Sequence, residues 1–155
     1  MIKENSVLTF SGTQSATYYK PSNKEMINEW FRVRNENNTC ILNYKRKEED
    51  SIVKEYEVTI DNEKIFKTIL SYLGFTEVVN VSKNRISYLY KEKYEFSFDN
   101  VSKLGLFIEI EIKKYDYSIE EEFKKLFELL NEFNIDINKI EVKRYPELML
   151  ELNKL

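Results

Sequence analysis

Histidine is missing from all 155 residues, and that single absence removes histidine triads, zinc–histidine sites and histidine general bases from the available chemistry. Any reaction would have to run on carboxylates, lysines, tyrosines and a hard metal. Cysteine occurs once, at Cys40, so no internal disulfide framework can form and a reducing, cytoplasmic setting is expected. With no histidine to activate it, Cys40 reads as a core or incidental thiol, not a nucleophile. Glycine and proline number three and two, which argues against disorder or a repeat array. No apolar run approaches the length of a membrane span, and "MIKENSVLTF" lacks the long apolar core of a signal peptide. Basic residues do not dominate either. With 24 Lys and Arg against 27 Asp and Glu, net charge is −3, and a coat for duplex nucleic acid is not expected. A local basic concavity can still sit inside an acidic whole.

What is present suits one soluble domain over residues 1–155 with a real core: 42% apolar and 33% charged. The first half reads as strands. "EWFRVRN" and "CILNYKRK" flank the turn "NENN", a hairpin signal, and "SIVKEYEVTI" follows, so an antiparallel meander is expected. Asp61 or Asn62 can cap a helix over 62–73, with Ile65, Phe66, Ile69, Leu70 and Leu73 as its stripe and Gly74 at its end. Two strands come next, in "VVNVSKNRISYLY" and "YEFSFD". In "GLFIEIEIKK" Leu106, Ile108, Ile110 and Ile112 alternate with Phe107, Glu109, Glu111 and Lys113, and the aliphatic side is expected to pack on a core. Ser118 with Glu121 forms a capping box for a helix over 118–133, with Phe123, Leu126, Phe127 and Leu130 as its stripe. A short strand at "KIEVK" and a helix starting at Pro146 close the chain.

One pattern recurs from strand to strand: an apolar face backed by a charged one. The charged faces collect Arg32, Arg34, Lys45, Lys83, Arg85 and Lys113, with Glu55, Glu57, Asp99, Glu109 and Glu111. An antiparallel sheet with one solvated face would explain this without any function. Arginines and carboxylates repeating in doublets at a spacing of two favour instead an inward polar surface. Enclosed basic side chains offer fork-like and point-charge donors to several phosphates at once. Acids among them would hold magnesium or manganese between carboxylate and phosphate oxygens, or neutralise the bases with no ligand at all.

These segments resemble, in order, the motifs of the CYTH superfamily, the triphosphate-tunnel proteins that include class IV adenylyl cyclases and thiamine triphosphatases. "QSATYY" resembles Q-x-D-x-Y, "FRVR" L-R-I-R, "LNYK" L-T-Y-K, "KEYEV" R-E-E-x-E, and "VSKNRISY" K-x-R-x-x-Y. "FDNVSKLGLFIEIE" resembles D-x-V-x-x-L-G-x-F-x-E-I-E, the most specific element, and "KRYPELM" the closing S-Y-x-x-L-L. The resemblance implies an α+β fold, an antiparallel barrel or tunnel-like sheet with flanking helices. It also implies a nucleotide or polyphosphate ligand and divalent metal. By it, Arg32, Arg34, Lys45, Lys83, Arg85 and Lys113 would grip phosphates. Glu55, Glu57, Asp99 and Glu109 would line the tunnel, and Glu111 would be the metal ligand.

Two departures stand beside the matches. The family begins with an E-x-E-x-K strand and a helix ahead of the glutamine strand, whereas only "MIKENSVLTFSGT" precedes Gln14, so that unit is expected to be missing. The aspartate of the glutamine strand is Ala16. Both changes remove acids and keep the basic set, which weakens the expected Mg or Mn site and favours holding an anion over turning it over. A sheet lacking a strand is either open or completed by a partner chain, so a homodimer is one expectation. The leading reading is a nucleotide- or polyphosphate-binding module with reduced or absent catalysis, sequestering a nucleotide signal. The alternatives are an active metal-dependent adenylyl cyclase or triphosphatase, and a remnant whose tunnel charges pair internally. No duplex nucleic acid or membrane partner is expected.

Overall fold

Two consecutive asparagines set the first hairpin. Asn37 and Asn38 both take positive φ, 47° and 62°, which a two-residue hairpin turn requires and asparagine tolerates. They join β2 (Glu29–Glu36) to β3 (Thr39–Lys47), in register from Glu36 opposite Thr39. The computed structural model describes residues 5–23, 29–47 and 53–154. The remaining strands are β1 (Ser6–Pro21), β4 (Val53–Ile60), β5 (Phe75–Tyr90), β6 (Tyr94–Val101) and β7 (Gly105–Ile112). All pairings are antiparallel, in the order β4-β3-β2-β1-β5-β6-β7. The meander is as expected, and the described sheet is open, with β4 and β7 as its edges. β1 begins eight residues before Gln14. Within "MIKENSVLTFSGT", residues 6–13 are the first half of the glutamine strand itself, which pairs with β5 along its length.

The helices fall where their caps put them. α1 (Glu63–Tyr72) starts as the Asn62 side chain accepts from the Ile65 amide at 3.0 Å, and the chain leaves it through Gly74 at φ +78°. α2 (Ile119–Glu132) has the Ser118–Glu121 capping box, and α3 (Tyr145–Leu152) carries Pro146 in its first turn. No helix is long and apolar enough to cross a membrane among the described residues. α1 covers Tyr19, Val33 and Leu42 on one half of the outer face, while α2 covers Tyr90, Phe96, Ile110 and Ile112 on the other. α3 packs on the opposite face, against Val79, Val81 and Val101.

Three expectations need correction. "KIEVK" is not a strand: Ile137–Lys139 forms a 3₁₀ turn, and Ile140 and Val142 beyond it are exposed, so their alternation has no core to face. The aliphatic side of β7 is not wholly packed. Ile110 and Ile112 lie under α2, whereas Leu106 and Ile108 stay exposed beyond the helix's reach. Both helical stripes are also narrower than their apolar sequence. α2 buries Glu122, Leu126, Leu129 and Leu130 and leaves Phe123 and Phe127 exposed; α1 buries Leu70 and leaves Ile65, Ile69 and Leu73 exposed. A helix lying on a sheet presents only the arc in contact.

Candidate functional site

The period of two places every sequence-predicted site residue on one face of the sheet, the face that receives α3. Cross-strand partners share a face, and the register pairs Tyr18 with Arg32, Ala16 with Arg34, Lys45 with Glu55 and Asn43 with Glu57. On the other half it pairs Gln14 with Lys83, Arg85 with Asp99, Ser97 with Glu109 and Glu95 with Glu111. The face is concave. Arg32 on β2 feels both Glu55 on β4 and Glu109 on β7, so the sheet curls its two edges toward one another.

Two ion-pair networks occupy its halves. On β2–β4, Arg34 meets Glu36 at 3.0 Å and Glu57 at 3.1 Å, and Lys45 meets Glu55 at 3.0 Å. The buried Asn43 amide donates to Glu55 at 2.5 Å and Glu57 at 2.9 Å. On β5–β7 the centre is Asp99, whose side chain is fully enclosed. It accepts from Lys83 at 2.9 Å, from Arg85 at 2.7 and 2.6 Å, and from the Tyr145 hydroxyl at 2.8 Å. Arg85 also reaches Glu109 at 2.5 Å. Burial pushes the Asp99 carboxyl up, but Arg85 and Lys83 outweigh it and its pKa is lowered. Glu109 is lowered in the same way, by Arg85 and Lys83. Burial and the neighbouring Arg85 lower the Lys83 amine below its usual range, despite Glu109 and Asp99. Lys113 and Glu111 sit apart from these clusters: Lys113 bridges Glu95 at 3.0 Å and Glu111 at 2.5 Å.

Arg32 stands between the networks and belongs to neither. Among the described residues its one hydrogen-bond partner is the Tyr18 hydroxyl at 3.2 Å, and its Nε is buried with no partner. It faces a small recess, open to solvent, lined also by Gln14, Ala16, Arg34 and Lys83. The small Ala16, where an aspartate was expected, forms part of the wall. α3 borders the same space. Lys83 lies 5.0 Å from the Tyr145 ring centre, and the Arg144 guanidinium stacks 3.3 Å over Trp30.

Sequence reasoning missed the uncharged members: Gln14, Tyr18, Asn43 and Tyr145. Their signal was available, since Gln14 and Tyr18 share the parity of Ala16, and Asn43 and Tyr145 sit inside matched segments. Charge alone does not mark them. Among the described residues no three Asp, Glu, His or Cys side chains gather to hold an ion. Each carboxylate on this face is held by a cation or an amide, so as they stand these residues do not fit a metal, and Glu111 is engaged by Lys113.

Residues 11–145 match the family profile of the CYTH domain. The chain belongs to the CYTH family. It is 36% identical over 124 residues, 77% of this chain and 70% of the other, to a Methanocaldococcus jannaschii protein described as a "putative adenylate cyclase". A solved Pyrococcus horikoshii structure is 31% identical, superimposes with a TM-score of 0.81, and covers 97% of this chain and 90% of its own. A Vibrio parahaemolyticus structure, also described as a "putative adenylate cyclase", shares the fold at TM-score 0.79 and 16% identity, over 96% of this chain and 87% of that one.

Proposed function

We propose that the concave face of this CYTH domain binds the polyphosphate chain of a nucleotide or an inorganic polyphosphate, and that the isolated chain turns it over slowly or not at all. A signal nucleotide held in this way would be sequestered. The observation that carries the reading is Arg32: a guanidinium with a buried, unpartnered Nε and no described carboxylate in ion-pair reach. Such a group is stabilised by an arriving anion more than by anything already around it. Arg34, Lys45, Lys83 and Arg85 supply further donors once their carboxylates are exchanged for phosphate oxygens, and Lys113 is a more distant one. Slow turnover is supported by the engagement of the acids, since Asp99, Glu109, Glu55 and Glu57 would each have to leave a cation to serve a metal.

The test measures binding of ATP, a cyclic nucleotide and inorganic triphosphate by calorimetry and thermal shift, with product release followed under magnesium and under manganese. Binding of at least one polyphosphate is expected, with little release of phosphate or cyclic nucleotide. No binding of any of them would sink the reading. A second reading, an active adenylyl cyclase or triphosphatase, is favoured by the described character of the 36% identical relative. Robust turnover that disappears in Glu111→Ala would establish it and restore Glu111 as a metal ligand. Binding that survives or tightens in Glu111→Ala supports the first.

A further inference from the structure

The outward face of the sheet beyond α2 is apolar and uncovered. Leu8, Ile86, Phe98, Leu106 and Ile108 are 53%, 44%, 37%, 83% and 45% exposed. They adjoin across the ladders: Ile86 lies opposite Phe98, Phe98 opposite Ile108, and Leu106 opposite Asn100 one step along. The outward neighbours, Ser11, Thr13, Asn84 and Asn100, are polar but uncharged. In a chain whose residues are 33% charged, a contiguous surface spanning four strands without one charge is a selected composition.

We propose that this face is the contact surface between two copies of the chain. Its neutrality decides the partner. A second copy laid face to face opposes no like charges and strips water from no ion, whereas a charged partner finds nothing here to pair with. The shape agrees, because two sheet faces stack about 10 Å apart with their side chains interleaved. The size agrees as well. These five side chains leave on the order of 500 Å² of apolar surface open, in the upper range of the largest patch on a monomer, which is often functional. The uncharged polar neighbours extend it toward the roughly 800 Å² per partner of a stable interface. Their hydrogen-bonding groups, such as the Thr13 hydroxyl donating to Asn84 at 2.8 Å, form the rim of an apolar centre. A two-fold axis through the patch makes the interface isologous and closed. The concave face, on the other side of the sheet, remains open to ligand in such a dimer.

Light scattering on the eluting protein at about 10 and 100 µM, concentrations that reveal micromolar association, tests this. The native chain is expected at twice its 18.7 kDa mass. Ile108→Lys and Phe98→Glu each place a charge in the patch and are expected to shift the mass to that of one chain, with triphosphate binding unchanged. Leu106→Lys, at the most exposed position, serves the same purpose should either variant fail to fold. A native chain of single mass at both concentrations overturns the proposal, and so does double mass retained by the folded variants. Absence of triphosphate binding in a chain that dimerises would remove the proposed ligand and leave the interface standing.

Discussion

Arg32 and Arg34 are indistinguishable in the sequence, two arginines of one "FRVR" doublet, and opposite in their surroundings. Arg34 has two carboxylates and Arg32 has none among the described residues. That difference separates binding from stability. Arg32→Ala removes a cation without orphaning an acid, so it is expected to weaken triphosphate binding tenfold or more while changing the melting temperature little. Arg85→Ala takes the fork from the enclosed Asp99 and from Glu109, so it should cost ~2 kcal/mol or more and several degrees of melting temperature, besides affinity. Equal effects of the two variants on melting would show that Arg32 is as tightly paired as Arg85. Lys83 adds a pH signature. Its pKa is lowered from 10.5 by burial and by Arg85, and an anion favours its charged form. Affinity should therefore be full while the amine is protonated and fall as pH rises through that depressed value, beginning below 10.5. A Lys83→Arg variant should lose this decline, because its guanidinium stays charged. The period of two told which face each charge shares, but not how near a partner lies four strands away, and so the sequence could not single out Arg32.

At the scale of elements, local signals were legible and remote ones were not. The helix expected over 62–73 runs over 63–72, and that expected over 118–133 runs over 119–132, because Asn62, Ser118 with Glu121, and Gly74 mark their own boundaries. "KIEVK" misled because alternation makes a strand only where a core receives one side of it. Glu122 was hidden for another reason: it is one of three consecutive glutamates in "EEE", two of which are exposed. Glu122 is fully enclosed, accepts from the amides of Asp116 and Tyr117 at 2.8 and 3.1 Å, and takes the Lys93 amine at 2.8 Å. Hydrogen bonding to Lys93 lowers its carboxyl pKa and raises that of the amine. It ties the start of α2 to the β5–β6 turn. Glu122→Ala should lower the melting temperature by several degrees, whereas Glu120→Ala two residues earlier, exposed at the helix start, should change it little. Comparable shifts in thermal denaturation for the two would deny Glu122 its anchoring role.

For the molecule as a whole, the concave face is a nearly neutralised ionic lattice that a polyphosphate must open. On the proposed function, phosphate oxygens would replace carboxylates around Arg34, Lys83 and Arg85, and the displaced acids would then lie among groups of their own sign. This exchange makes ligand and proton act on the same carboxylates. Asp99 and Glu109 have pKa values lowered from 3.8 and 4.5, so the stability they contribute is complete above about pH 4.5. It is lost as pH falls through the depressed folded values, where protonation breaks their pairs with Lys83 and Arg85. A polyphosphate bound as proposed would cover those same cations and leave the carboxylates free to protonate without loss. Triphosphate should therefore protect most in acid: the midpoint of acid unfolding should move to lower pH in its presence, by more than the same concentration of sulfate achieves. Circular dichroism across an acid titration, with and without triphosphate, reads this directly. Protection equal to that of sulfate would mean that the anion acts on the general charge of the protein. Protection specific to triphosphate and absent in Arg32→Ala would tie it to the recess between the two networks.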